Sequence, residues 1–259
     1  MTNDKLAAYP VNMDTVSSHM NTLLYGWPGV GKTSLAGEAA DIPEMRDVLF
    51  LNFEGGLVSL AHRTDIKAVD IRSIADLEAA FWKLQRGEYK GVRTVVIDNL
   101  TEMQTLSLET IASARVERKG TGDRDQLFME DYGKSTAQLR RLMRWFRDLP
   151  IHVIMTAHPK AIVVGQENVP APLRTPSMIK PSLTDKLSDS VMGYVDFVWY
   201  YFIRETDGKT ERVLVTRKKG VVEAKTRGHR FSEALGDGII VNPTLSGLFK
   251  LFQDSQRKK

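Results

Sequence analysis

The residues with the clearest chemistry lie in one glycine-rich segment, whose sequence GWPGVGKT fits the pattern G-x-x-x-x-G-K-[ST] at every fixed position. In such a loop, backbone N–H groups surround phosphate oxygens, the lysine faces the β- and γ-phosphates, and the final hydroxyl binds Mg²⁺. The predicted phosphate-binding residues are Gly26, Pro28, Gly29, Val30, Gly31, Lys32, Thr33 and Ser34. Lys32 is also a predicted catalytic residue and Thr33 a predicted metal ligand. The motif therefore predicts that the chain binds a nucleoside triphosphate.

A polar side chain also lies at the end of each of three later apolar runs. Glu54 follows the second run, Asp98 ends the third, and His158 follows the fourth. The runs predict buried strands at residues 22–25, 48–53, 94–98 and 151–157. Since the carboxyl ends of parallel strands meet at one edge of a sheet, where nucleotides bind, we expect these side chains beside the glycine-rich loop.

The three polar residues suggest different roles. An apolar strand that ends in Asp98 is typical of a carboxylate in the magnesium shell. The next residue is Asn99 rather than a glutamate, so the carboxylate that activates water must come from elsewhere. Glu54 is the predicted catalytic acid, with Glu102 as the alternative. His158 is predicted to sense the γ-phosphate.

The composition is that of an ordinary globular protein. The chain has 259 residues, of which 42% are hydrophobic and 26% charged, enough for one α/β domain. Cysteine is absent, which excludes disulfides, thiolate metal sites and cysteine catalysis. No apolar run approaches the ~20 residues of a membrane span. We therefore expect a cytoplasmic protein without a membrane partner. A net charge of +4 is compatible with nucleic acid binding.

The order of predicted elements indicates a three-layer α/β fold with a mostly parallel sheet and a C-terminal antiparallel hairpin. Helical spacing predicts helices at residues 34–40, 75–86, 101–118, 135–149 and 243–252. An Asp-Gly turn between two alternating runs predicts the hairpin, at residues 194–203 and 212–215. Residues 1–20 are treated as an N-terminal segment and residues 21–259 as a single domain. Residues 159–190 are predicted to form a long loop, because they are rich in proline.

The ordered set of motifs resembles the RecA-like core P-loop ATPases. The resemblance is closest to the compact phage-borne members, the AAA-family ATP-binding proteins and RecA-like single-strand annealing proteins. The motifs that carry it lie at residues 26–33, 53–56, 95–98, 155–158 and 224–227. It implies a RecA-like fold, hydrolysis of ATP with Mg²⁺, and, for a phage-encoded chain, the host cytoplasm.

The resemblance also implies roles for individual residues. In RecA-like ATPases the acid at the position of Glu54 activates water, and the residue at the position of His158, usually Gln, couples nucleotide to DNA. Lys225 and Arg227 match a basic pair that reaches the γ-phosphate of a neighbouring subunit. Arg217 and Lys219 have the same spacing and are the alternative pair, so the sequence does not choose between them.

The implied partners are single-stranded DNA, further copies of the chain in a ring or filament, and a single-strand DNA-binding protein. The resemblance places two DNA-binding loops near residues 118–131 and 159–190, both of which carry basic residues. Two other functions stay open, a helicase- or loader-type motor and a small-molecule kinase. A GTPase is disfavoured because no Asn/Thr-Lys-x-Asp guanine-reading element is present.

Overall fold

A computed structural model describes residues 19–167, 169–170 and 173–257. Most of the predicted N-terminal segment, residues 1–18, lies outside the described residues. The strands are β1 (Asn21–Tyr25), β2 (Val48–Asn52), β3 (Lys67–Asp70), β4 (Thr94–Asp98), β5 (His152–Ala157), β6 (Pro159–Ile162), β7 (Met178–Pro181), β8 (Phe197–Thr206), β9 (Lys209–Val215), β10 (Lys225–Thr226) and β11 (Ile239–Val241). The helices are α1 (Lys32–Gly37), α2 (Ile74–Gln85), α3 (Leu100–Lys119), α4 (Met129–Arg147), α5 (Asp185–Tyr194), α6 (His229–Ala234) and α7 (Leu245–Arg257). Short 3₁₀ segments occupy Glu38–Asp41 and Leu57–Leu60.

One sheet forms the middle layer, with the order β11-β9-β8-β1-β5-β4-β2-β3, and β10 also pairs with β8. The six strands from β8 to β3 in this order are parallel. β9, β10 and β11 add antiparallel pairs at the other edge. β1, β2, β4 and β5 are buried along their whole length, as strands covered on both faces must be. The fold-class prediction, a mostly parallel sheet with C-terminal antiparallel strands, is confirmed.

Helices cover both faces of the sheet and enclose two apolar clusters. On one face, α2 and α4 bury side chains that include Phe81, Leu139 and Phe146. On the other face, α1, α6 and α7 bury side chains that include Leu35 and Phe231. The layers position the loops beyond the carboxyl ends of the parallel strands. No helix among the described residues is long and apolar enough to cross a membrane.

The predicted hairpin is confirmed. β8 and β9 pair from Tyr200 with Val215 to Thr206 with Lys209. Asp207 and Gly208 form the turn, with φ of 52° and 72°. Two positive φ angles are typical of the two-residue turn that matches the twist of a hairpin. Because Tyr200 pairs with Tyr25 at the end of β1, the hairpin extends beyond the carboxyl edge of the sheet.

The helix predicted at residues 135–149 begins earlier, at Met129. The buried carboxylate of Asp131 accepts a hydrogen bond from the N–H of Phe128 at 3.0 Å and pairs with Arg115 at 3.2 Å. This cap fixes the start of α4, and the predicted loop at residues 118–131 shrinks to the chain between Lys119 and Met129.

The prediction of one long loop at residues 159–190 is wrong. β6 and β7 form an antiparallel ribbon in which Pro159 lies opposite Pro181, and α5 begins at Asp185. The ribbon is held by main-chain bonds from a distant segment, since the N–H of Ile179 donates to the carbonyl of Val221 at 2.7 Å. The two prolines lie at the same end of this two-stranded ribbon, where a residue without an N–H costs little.

Candidate active site

The glycine-rich loop joins β1 to α1 with the geometry that its sequence requires. Gly29 and Gly31 have φ of 79° and 99°, a region that other residues rarely adopt. A Cβ on Gly26 would lie 2.0 Å from the carbonyl oxygen of Tyr201, so only glycine fits there. Val30 is buried beneath the loop, whereas Pro28 and Ser34 are exposed on it.

Lys32 is the first residue of α1, and its ammonium group closes the mouth of the loop. Nζ donates to the carbonyl oxygens of Gly26 at 2.8 Å and Trp27 at 3.1 Å. Burial lowers the pKa of Lys32, and the nearby carboxylates of Asp98 and Glu54 oppose that shift. The charge is thus placed at the phosphate-binding loop and faces both predicted acids.

Thr33 and Asp98, the predicted magnesium ligands, are in contact with each other. The hydroxyl of Thr33 donates to Oδ2 of Asp98 at 2.7 Å, and the hydroxyl of Thr156 donates to Oδ1. A hydroxyl and one carboxylate are the oxygen donors that suit Mg²⁺, which retains waters and phosphate oxygens as its other ligands. Among the described residues, no group of three or more His, Asp or Glu side chains could hold a metal ion by itself.

Glu54, Asn99 and His158 form a second polar cluster at the same edge. His158 Nε2 lies 2.8 Å from Oε1 of Glu54, and Nδ2 of Asn99 donates to the same oxygen. Because a carboxylate only accepts, Nε2 carries the proton of His158 in this pair. The main-chain N–H of His158 donates to the hydroxyl of Thr101 at 3.1 Å. Two donors therefore hold Oε1 of Glu54 and fix the orientation of its carboxylate.

The alternative acid, Glu102, lies one turn into α3. Its main-chain N–H donates to Oδ1 of Asn99 at 2.9 Å, so Asn99 is the N-cap of that helix. Asn99 therefore uses its carbonyl oxygen on α3 and its amide nitrogen on Glu54. The geometry brings Glu54 rather than Glu102 to His158.

Lys225 and Arg227 lie away from the loop of their own chain. Lys225 pairs with Val198 near the start of β8, and burial lowers its pKa to about 8. Arg227 pairs with Asp196 at 3.1 Å and donates to the carbonyl of Gly193 at 2.7 Å. Because β8 runs parallel to β1, these contacts lie at the edge opposite the phosphate-binding loop.

The alternative pair is also engaged within the chain. Arg217 donates to the carbonyl of Ser232 at 2.6 Å, and Lys219 pairs with Asp237 at 3.0 Å. Neither basic pair contacts Lys32. Their predicted action on a neighbouring subunit stays a prediction.

A groove of about 620 Å³ opens beyond His158, between the start of α4, β6 and the start of α5. Three cations and one carboxylate line it, together with the ring of Tyr132. The charged residues are Arg140, Lys160, Lys186 and Asp185. Lys160 pairs with Asp185 at 2.7 Å, which holds the pKa of that carboxyl below its ordinary value. The predicted DNA-binding segment at residues 159–190 thus supplies Lys160 and Lys186 to the groove, whereas the segment at residues 118–131 supplies only Met129 and none of its basic residues.

Sequence reasoning missed two contacts that complete the site. Asn99 precedes α3 with Glu102 three residues later, a pattern typical of a helix N-cap, so its carbonyl contact was predictable. Thr156 follows Met155, which pairs with Ile97, so Thr156 lies beside Asp98. That pairing depends on strand order and register, which have no local sequence signal.

Comparison with known proteins supports the P-loop ATPase prediction. A family profile described as "AAA domain" matches residues 18–228. A KaiC-like protein from the hyperthermophilic archaeon Pyrococcus horikoshii OT3 is 14% identical, with a TM-score of 0.46 over 86% of this chain and 89% of that one. No curated protein matches the chain significantly.

Proposed function

Because the chain belongs to the AAA domain family, we propose that it is a Mg²⁺-dependent ATPase whose turnover is stimulated by single-stranded DNA. The observation that carries the DNA part of the proposal is the basic groove beside His158. In it, Arg140 and Lys186 supply positive charge, Lys160 is paired with Asp185, and Tyr132 supplies an aromatic ring. Cations that follow a backbone and rings that stack on bases are the features of single-strand binding sites.

Each polar residue of the phosphate-binding loop and of the adjacent sheet edge has its own role in hydrolysis. Lys32 neutralises charge on the phosphates, and Thr33 and Asp98 would hold Mg²⁺, which shields the phosphates and stabilises the charge that develops on them. Glu54 takes the proton of the attacking water. Asn99 and His158 hold Oε1, so the direction in which Glu54 presents its carboxylate to water depends on both of them.

The groove is joined to Glu54 by a short path. β6 begins directly after His158, and Lys160 in β6 lines the groove while its Nζ donates to the carbonyl of Leu183 at 2.6 Å. We propose that a DNA strand bound along the groove moves β6 and His158, which releases Glu54. Coupling of this kind follows when the ligand binds the released state more tightly.

We also propose a process, a form of assembly and a loading partner for this ATPase. Strand annealing in phage-type recombination is the process that we propose for this ATPase. Assembly into a ring or filament would present Lys225 and Arg227, or Arg217 and Lys219, to the next subunit. A single-strand DNA-binding protein is proposed as the loading partner.

The experiment is ATP hydrolysis by the purified protein with and without single-stranded DNA, on wild type, Lys186→Glu and Lys250→Glu. Lys186 is exposed at the groove, whereas Lys250 is exposed on α7 and serves as the matched control. We expect DNA to raise the wild-type rate, Lys186→Glu to lose most of that increase with its basal rate intact, and Lys250→Glu to behave as wild type. A wild-type rate that ignores DNA contradicts the proposal.

Two further assays separate the alternatives. Annealing of complementary strands supports the recombination function, whereas strand displacement on a tailed duplex would indicate a helicase-type motor. Transfer of phosphate to a small molecule in place of water would indicate a kinase. Sedimentation with and without ATP measures the proposed assembly.

A further inference from the structure

Arg212, on β9, contacts the phosphate-binding loop from outside the sequence motifs. Its Nε donates to the carbonyl oxygen of Val30 at 3.2 Å. A Cβ on Gly31 would lie 3.3 Å from the same nitrogen, so the guanidinium packs directly on the loop. Arg212 and Val30 are 182 positions apart in sequence, and the register of the β8–β9 hairpin brings them together.

Arg212 is held at this place through its main chain. Its N–H donates to Oδ1 of Asn242 at 2.9 Å, and its carbonyl accepts from the N–H of Asn242 at 2.6 Å. Asn242 has φ of 46°, a left-handed conformation that asparagine tolerates better than most residues. Asn242, in this left-handed conformation, thus holds β9 beside the phosphate-binding loop.

The guanidinium of Arg212 has no counter-charge within the part of the chain that the structure describes. It forms no ion pair there, and neither Nη atom has a hydrogen-bond partner among those residues. Arg204, on β8 of the same hairpin, differs because its Nε pairs with Glu211 at 2.9 Å. Arg212 therefore keeps two donor groups and a planar face for a ligand.

The position of Arg212 relative to the sheet indicates which part of a nucleotide it faces. Thr33, Asp98 and Glu54 lie on the side of β1 toward β5, β4 and β2, where the γ-phosphate and Mg²⁺ belong. The β8–β9 hairpin lies on the opposite side of β1. A nucleotide whose terminal phosphate points toward Asp98 directs its ribose and base toward that hairpin.

We propose that Arg212 binds the nucleoside end of the nucleotide, with the guanidinium plane against the base. Arginine is suited to this role because its planar group stacks on aromatic rings while it donates hydrogen bonds. The inference goes beyond DNA-stimulated hydrolysis and depends only on nucleotide binding by the loop. Its failure therefore leaves the DNA proposal intact, and a failure of DNA stimulation leaves this inference intact.

The test measures the affinity of ATP, ADP and inorganic tripolyphosphate for wild type, Arg212→Ala, Arg212→Lys and Arg204→Ala by titration calorimetry. We expect Arg212→Ala to weaken ATP and ADP by the same factor, about tenfold, and to leave tripolyphosphate unchanged. Arg212→Lys should behave like Arg212→Ala, because lysine lacks the planar face. Arg204→Ala is the matched control and should bind all three ligands as wild type does.

Three outcomes would overturn the inference. Unchanged ATP and ADP affinities in Arg212→Ala would show that the guanidinium contacts no nucleotide. An equal loss of tripolyphosphate affinity would show that Arg212 only supports the loop or binds its phosphates. Full rescue by Arg212→Lys would show that charge, rather than a planar contact with the base, is what matters.

Discussion

Two donors hold one oxygen of Glu54, the predicted catalytic acid. Oε1 accepts from Asn99 and His158, and the side chain is about one-third exposed at the mouth of the site. These two donors set the direction in which the carboxylate faces an attacking water. Turnover is therefore expected to depend on the position of His158 as well as on the presence of Glu54.

Glu54→Gln should reduce kcat for ATP by about 10²- to 10⁴-fold, because the amide cannot accept the proton of water. ADP affinity should stay near the wild-type value, since Glu54 lies beyond the phosphate-binding loop. Steady-state hydrolysis and calorimetry measure the two effects. Glu102→Gln is the matched control and should hydrolyse ATP as wild type does. If Glu102→Gln is the inactive variant, Glu54 is not the base.

The sequence predicts those site residues that belong to a local motif, and it misses the contacts that depend on tertiary structure. The phosphate-binding loop, Asp98 and His158 follow from motif spacing and strand ends. The contact of Thr156 with Asp98 and that of Arg212 with the loop do not, because each depends on strand pairing. No short-range pattern distinguishes these two from other polar residues on strands.

The junction between α3 and α5 supports one wall of the groove. Both ends of the Gln104 amide bind Thr184, the residue before α5. Oε1 accepts from the main-chain N–H and Nε2 donates to the hydroxyl, each at 2.9 Å. Gln104 is buried, so these bonds are shielded from water. They fix the start of α5 against the helix that begins beside Glu54.

Gln104→Met should lower the free energy of unfolding by about 1–3 kcal/mol, because it keeps the volume but leaves the N–H of Thr184 without its acceptor. Urea denaturation measures the loss. Glu109→Ala changes an exposed residue of the same helix and should cost little. DNA stimulation should fall with Gln104→Met while the basal rate is kept. An unchanged unfolding free energy would show that the junction contributes nothing to stability.

Elements with strong periodicity were predicted well, and those that depend on distant pairing were not. The hairpin and the buried parallel strands follow from alternation, turn residues and apolar runs. The β6–β7 ribbon has little periodicity and is set by its contact with Val221. β3 was missed because it is an edge strand with three exposed residues among four, which gives no apolar run.

The edge of the sheet opposite the nucleotide site carries a buried histidine between β5 and α7. His152 Nδ1 accepts the N–H of Met20 at 3.0 Å, and its ring packs 5.4 Å from Phe249. Burial lowers the pKa of His152 to about 4, with a further lowering by His19 and an opposing effect from Glu44. His152 lines a small surface cavity together with Glu44 and Arg257.

Stability should fall as the pH drops below the ordinary value of His152. Between about pH 6.5 and 4 the unfolded chain binds a proton that the folded chain excludes, so stability is complete above this window and is lost within it. The full effect is about 3 kcal/mol. Urea unfolding at pH 7.5 and 5 measures it. His152→Asn retains an acceptor for Met20 and should show a smaller difference between the two pH values. An equal difference would assign the dependence to other groups.

The aromatic cluster that α6 and α7 form with the sheet indicates that the folding unit extends beyond the end of the family match. The family match ends at residue 228, yet α6 and α7 follow it. Their rings pack on Phe197, with Phe231 at 5.1 Å and Phe252 at 5.7 Å. A chain cut after Gly228 would keep every predicted catalytic residue and still expose an apolar sheet face, so we expect it to aggregate. Recovery of soluble, monodisperse protein after that cut would show that the two boundaries coincide.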